Sequence, residues 1–498
     1  MVDVFCAVFL FLWLVYLWET YLSHRQHKLF KSTQDVPVEL KDVLDKETFE
    51  KARLYQLDRS SFSFYHGIYT QIEMSLILLY GGIPFMWSIS GNILSKFGYP
   101  VEYEILHSMI FLVCAVLFST VTDLPWSLYS TFVVEERHGF NKQTLGFYIK
   151  DTIKKLIVMV AILLPITAGL IFIIKWGGQY FFVYAWLFTV VVTLLVVTIY
   201  LDYIAPFFDK FTSLPDGSLR TSIEKLAASI DFPLTKLLVV EGSKRSSHSN
   251  AYFYGFYKSK KIVLFDTLLA DSPIKKDQTK EENNKTDDKE GEKIDEPEKV
   301  RNDDDNEKQT EDKNKKTDDK EGDKTDEPTT IPETTEDSED TKPKQKGCSN
   351  EEVLAVLGHE LGHWKLSHNL KNLCISQVNT LFCFLMFGIL MHQKVLFESF
   401  GFFHSKPVLI GLIIIFQFIF SPYNELLGFL MTILSRRFEF QADAFAKQLG
   451  FAAHLKSSLI KLNADNLGFP IADKLYSAYH YSHPPLIERL RALGLKED

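Results

Sequence analysis

The chain has 498 residues, 46% of them apolar and 14% aromatic, with 54 Lys and Arg against 63 Asp and Glu, and five Cys. Residues 275–347 hold 27 of the acidic and 17 of the basic side chains, so the remainder carries 36 acidic and 37 basic residues and is nearly neutral. That balance excludes the basic surplus of a nucleic-acid binder. The long apolar runs exclude an ordinary soluble enzyme, and the lack of any CxxC spacing excludes a cysteine zinc site.

A helix crossing a bilayer needs about 20 mainly apolar residues. Seven segments meet or approach this: Val4 to Trp18, Ile72 to Ile89, Ile105 to Val121, Leu156 to Ile174, Tyr180 to Tyr200, Leu373 to Met391 and Val408 to Leu434. The first begins at Asp3 rather than at basic residues and has no small-residue cleavage site, so it reads as a retained helix and not a signal peptide. Gly81, Gly82 and Pro84 are expected to kink or break the second.

Lys and Arg collect after alternate spans: Arg25, Lys28 and Lys31 after the first, Arg137, Lys142 and Lys150 after the third, Arg436 and Arg437 after the seventh. By the positive-inside rule the N-terminus is lumenal and the C-terminus cytosolic. The region from Asp202 to Leu373 then faces the cytosol. Within it, KTDDKEGEKIDEP from Lys285 recurs as KTDDKEGDKTDEP from Lys316. A segment so charged buries too little apolar surface to offset its conformational entropy, and is expected to be disordered.

After this insert, EEVLAVLGHELGHWKLSH reads as a helix starting near Asn350 with Glu351 and Glu352 in its first turn. His359 and His363 are four apart and share one face, with Glu360 beside them. A zinc ion held there would polarise a scissile carbonyl and acidify a water, whose proton Glu360 would accept. The pattern alone also fits two surface histidines, so a third ligand is required.

SRRFEFQADAFAKQLG offers one. Glu439 and Asp443 are four apart, so Glu439 can complete the metal set while Asp443 accepts from the second nitrogen of a ligand histidine. Taken alone the segment better fits a charged helix face pairing with Arg436 and Arg437, and it is the neighbouring HExxH pattern and membrane span that favour the ligands. His368, five residues after His363, is expected to leave the metal-facing side. In SHSNAYFYG, Asn250 and Ala251 lie on the approach to the strand-like run Ile262 to Phe265, where an exposed edge could pair with an extended substrate. A plain hairpin fits those residues equally well. In YSHPPLIERLRAL, His483 and Arg489 are candidates for stabilising a tetrahedral oxyanion, although Arg489 could equally lie on a helix surface.

With EERHGFNKQT from Glu135, these stretches closely resemble the type I CAAX prenyl proteases, membrane zinc metalloproteases of the gluzincin class. The resemblance spans nearly the whole chain. It implies a mainly α, integral membrane fold, with seven transmembrane helices enclosing a chamber and an HExxH gluzincin-type zinc domain on the cytosolic side. It also implies one zinc per chain on His359, His363 and Glu439, with Glu360 as base and Asp443 behind the ligands, and with His483, Arg489 and Asn250 around the substrate. The implied reaction removes the last three residues of prenylated CAAX proteins, with a second upstream cut in some members, in the endoplasmic reticulum membrane and the continuous inner nuclear membrane. Implied partners are prenylated substrates and membrane lipid, with no nucleic acid.

The corresponding division is helices one to five in 1–201, the first part of the protease in 202–274, the insert in 275–347, the HExxH helix in 348–372, helices six and seven in 373–434, and the remaining protease in 435–498. Two other functions fit parts of the pattern. One is a quality-control protease clearing unlipidated or translocon-stalled membrane proteins. The other is a non-catalytic scaffold, which the intact ligand set and Glu360 argue against.

Overall fold

The computed structural model describes residues 3–255, 259–270 and 346–494. The charged insert, apart from Lys346 and Gly347, lies outside them, and so does the expectation that it is disordered. Helix α1, Val4–Ser32, starts where the Asp3 carboxylate accepts from the Phe5 N–H, and runs well past its apolar stretch. Helix α2, Lys46–Leu79, ends at a bend of 69° before α3, Gly82–Lys96. The bend is chemical in origin. Gly81 takes φ +64°, a left-handed conformation that costs glycine little, and Pro84 falls in the first turn of α3, where its missing N–H is tolerated.

Helices α4, Glu104–Tyr129 with a π-helical turn to Glu135, α5, Leu145–Trp176, and α6, Phe181–Ile199, follow. Helix α7, Ser218–Ser229, lies between the first two strands of the sheet, and after the sheet come α8, Asn350–Lys365, and α9, His368–Leu390. Then follow α10, Lys394–Ser399, α11, Val408–Ile413 with a π-helical turn to Ile419, and α12, Ser421–Gln448. Among the described residues five helices are long and apolar enough to cross a membrane, or seven if each bent pair counts as one span. The second bent pair, Val408–Ile419 with Ser421–Gln448, turns by 60° just before Pro422, within a segment the sequence suggested was one span.

The most apolar windows of the five spans are only 6% to 17% buried within the protein, and Leu14, Val191 and Val378 are more than 60% exposed. Such outward apolar surface suits lipid as its solvent. Where the spans do touch, Phe111, Ile171, Phe181, Phe387 and Phe397 form a common buried cluster.

The sheet has the order β1-β2-β4-β3, with β1, Phe211–Ser213, β2, Leu234–Val240, β3, Ala251–Tyr254, and β4, Lys260–Phe265. Strand β4 runs parallel to β2 and antiparallel to β3, and its residues Lys261 to Leu264 are buried. The open edge next to Asn250 therefore belongs to β3, while the run Ile262 to Phe265 is interior. Strands β3 and β4 form a hairpin, and β3 is the strand at the end of the sheet.

Helices α13, Ala452–Asp465, α14, Lys474–His480, and α15, Leu486–Ala492, complete the chain. Leu486, Ile487 and Leu490 pack with Leu40, Leu44 and Phe49, which lie at and before the polar start of α2. Arg25 of α1 holds Asp473, the cap of α14, through two hydrogen bonds of 2.8 and 3.0 Å. The C-terminal segment is thus fastened to the first two helices.

Candidate active site

Helix α8 begins with a complete capping box. The Ser349 hydroxyl accepts from the Glu352 N–H, and the Glu352 carboxylate accepts from the Ser349 N–H. Its glycines face α12. A Cβ on Gly362 would lie 3.1 Å from the Phe445 ring and 3.2 Å from the Ala442 Cα. Glycine lets α8 approach this closely without displacing Phe445 or Ala442, and the approach brings His359 and His363 to Glu439.

The ligand-type atoms of His359, His363 and Glu439 all lie within 4.8 Å of one another. His359 Nε2 and His363 Nε2 are 3.2 Å apart, and Glu439 Oε2 and Oε1 stand 3.4 and 3.3 Å from them respectively. Behind this cluster the Asp443 carboxylate lies 2.8 Å from His359 Nδ1. An Nδ1–H donated to Asp443 leaves His359 Nε2 as a lone pair pointing at the cluster. Glu439 Oε2 is buried without a hydrogen-bond partner. Converging acceptors in a buried pocket are unfavourable unless a cation lies among them, so this donor set fits a metal such as zinc.

The electrostatics agree. Burial opposes charge on His359, but Asp443 and Glu439 outweigh it and push its pKa up to about 9. The pocket therefore attracts positive charge, for which a proton and a metal compete. Burial lifts the Glu360 carboxyl above its ordinary range against the pull of the two imidazoles.

His483 and Arg489 both reach the cluster, in different ways. His483 is 67% exposed and places Nε2 3.4 Å from Glu439 Oε1, on the open side. Arg489 is buried, and its Nε and Nη2 donate to Asp443 at 2.9 and 2.6 Å. That leaves Nη1, 3.7 Å from Glu439 Oε2. The guanidinium is thus committed to Asp443, not free on a helix surface.

Asn250 is exposed just before β3. Its side-chain oxygen accepts from the Ala251 N–H at 2.8 Å and its carbonyl from the Phe265 N–H at 3.1 Å, while Ala251 is buried. Residues that sequence reasoning passed over fix this edge. The Asn466 side chain accepts from the Ser249 N–H at 2.9 Å and donates to the Ser249 carbonyl at 3.3 Å, as a neighbouring strand would. His248 stacks on Phe140 with ring centroids 4.0 Å apart and lies 3.2 Å from the Asn466 side-chain oxygen. No local signal links residues so far apart in sequence.

Membrane helices carrying a buried His-His-Glu cluster with an adjacent glutamate define a membrane metalloprotease, and the chain belongs to peptidase family M48, whose pattern matches residues 213–496. Residues 26–210 match the domain described as CAAX prenyl protease N-terminal, five membrane helices. The chain is 57% identical over 496 residues to the CAAX prenyl protease 1 homolog of Mus musculus, covering 99% of this chain and 96% of that one. The corresponding protein of Caenorhabditis elegans is 43% identical over 97% of this chain and 95% of its own. The crystal structure of S. mikatae Ste24p superposes with a TM-score of 0.78 at 33% identity, covering 99% of each chain.

Proposed function

We propose that the chain is a zinc-dependent endopeptidase that removes the C-terminal aaX tripeptide from prenylated CAAX proteins. What carries the reading is full-length similarity to a protein named CAAX prenyl protease 1 homolog, in a chain whose His359, His363 and Glu439 converge beside Glu360. These three residues would hold one zinc ion, which when bound supplies Lewis acidity toward the scissile carbonyl and the attacking water.

The protein's own groups do the remaining work. Glu360 accepts the water proton and returns it to the leaving amine. His483, open on one side, donates an N–H to the carbonyl oxygen as negative charge develops there. Arg489 and Asp443 hold His359 in its ligating tautomer. The β3 edge, beginning at Asn250 and Ala251, pairs with the extended substrate, so that the cut falls at a fixed distance from the lipidated cysteine. The protease comprises residues 202–274, 348–372 and 435–498, set between and after spans that enclose a chamber.

Arg25, Arg137 and Arg436 contact Asp473, Asp58 and Glu488, so the basic ends of these spans adjoin polar segments outside the apolar stretches. With the positive-inside rule this favours a cytosolic site and C-terminus with a lumenal N-terminus; the endoplasmic reticulum membrane and the continuous inner nuclear membrane are what the resemblance to CAAX prenyl proteases implies. Each buried methylene of a prenyl chain contributes about 0.8 kcal/mol, holding the substrate at that surface.

The test uses the detergent-purified full chain with a farnesylated CAAX peptide and its unlipidated twin. Cleavage of the farnesylated peptide alone is expected. Equal cleavage of both would instead indicate a quality-control protease, and cleavage of neither a scaffold.

A further inference from the structure

The two ligand-type histidines are supported in different ways. His359 has a carboxylate behind it, whereas behind His363 lies a third histidine. His368 Nδ1 is 3.0 Å from His363 Nδ1, and His368 Nε2 is 3.0 Å from the Gln441 side-chain oxygen. The His368 ring is 1% exposed and lies parallel on Phe438, with centroids 4.0 Å apart and planes 7° from parallel. Helical spacing does not produce this contact, since a residue five positions on points about 140° away from His363. The contact exists because Ser367 adopts φ 58° and ψ 31°, ending α8 and folding His368 back over its last turn. A left-handed conformation at a residue other than glycine is costly and persists only where the surroundings enforce it.

We propose that His368 is a positioning residue for the metal site, acting through His363. The hydrogen-bond chain has one consistent direction. Gln441 Oε1 can only accept, so His368 carries its proton on Nε2 and presents a lone pair at Nδ1. That lone pair accepts the His363 Nδ1–H, which leaves His363 Nε2 bare and aimed at His359 and Glu439. A neutral acceptor here also has an electrostatic advantage. Glu439, Asp443 and Glu360 already place three carboxylates at the site, matched by Arg489 and the two charges of a zinc ion, and a fourth would leave buried negative charge without a partner. His368 supplies the orientation without that charge.

The inference rests on the zinc reading above and is tested by metal affinity. Zinc dissociation constants are measured on the full chain in detergent by competition with a chelating indicator, for wild type, His368→Phe and His368→Asn, along with the melting temperature of each protein stripped of metal. Phenylalanine keeps the stacking on Phe438 but removes the acceptor, while asparagine places an oxygen close to where Nδ1 stood. The expected result is a loss of about 10- to 100-fold in zinc affinity for His368→Phe, no change in its metal-free melting temperature, and recovery of most of the loss in His368→Asn. Wild-type affinity in His368→Phe would overturn the inference. So would equal weakening of both variants with a matching fall in metal-free stability, the pattern of a packing role. Failure of wild type to bind zinc would instead overturn the metal reading itself.

Discussion

Asp443 carries two charges' worth of structure at one residue. It accepts from His359 and from two nitrogens of Arg489, and both acidic and basic partners are nearly sealed from solvent. Replacing it with alanine leaves Arg489 largely buried with only the 3.7 Å contact to Glu439 Oε2, and Asp443→Ala is expected to cost about 3 kcal/mol, read as a fall in melting temperature of the metal-free protein. Arg489→Ala should show a smaller defect, because Asp443 keeps His359 Nδ1 at 2.8 Å as a partner. At this scale the metal-type cluster was largely legible in advance, because four-residue spacing fixes a helix face whatever the tertiary fold. Spacing showed that His359 and His363 share a face, and likewise Glu439 and Asp443, while the meeting of the two pairs at one point required the fold. His368 and Asn466 were illegible for the opposite reason. One depends on a left-handed turn at Ser367, the other on a pairing with Ser249 across more than 200 residues.

Two elements, α8 and α12, must be held at close range for the site to exist. Gly362→Val would place a branched side chain against Phe445 and the Ala442 backbone, moving His363 away from Glu439. Zinc affinity should fall even though helicity by circular dichroism is retained; unchanged affinity would show that the spacing tolerates the branch. The start of α8 is pH-sensitive. Burial opposes charge on Glu352, but the Ser457 hydroxyl and the Ser349 N–H outweigh it and hold its carboxyl below the usual range. A depressed folded pKa stabilises above the unfolded value of about 4.3 and is lost as pH falls through the folded one. The stability gap between wild type and Glu352→Gln should therefore narrow on acidification below about pH 4.3; a gap independent of pH would assign the loss to packing. Helix α8 was legible because Glu351 and Glu352 mark its first turn. The break at Gly81 was legible from its glycines and Pro84. The bend before Pro422 was not, since a proline in a first turn reads the same whether the preceding helix continues or turns. Nor could the apolar run of β4 reveal whether it was an edge or an interior strand.

For the molecule as a whole, apolar helices facing outward and a polar cluster fastened to their ends make one machine of membrane anchor and hydrolase. The continuity of α12 is the clearest instance: its first half, with Leu426, Leu430 and Ile433 exposed, belongs to a span, and its second half supplies Glu439 and Asp443. Spans were readable from length and apolarity alone, whereas the way the C-terminal segment docks on α1 and α2 required the fold. The central claim is that the buried cluster holds a zinc ion and that Glu360 moves the proton. It is tested most directly by measuring zinc content and cleavage of a farnesylated CAAX peptide side by side for wild type and Glu360→Gln. The account predicts one zinc per chain in both proteins, with turnover in the variant lower by about 10²- to 10⁴-fold. Wild-type turnover in Glu360→Gln, or full activity of wild type after its metal is stripped, would contradict it.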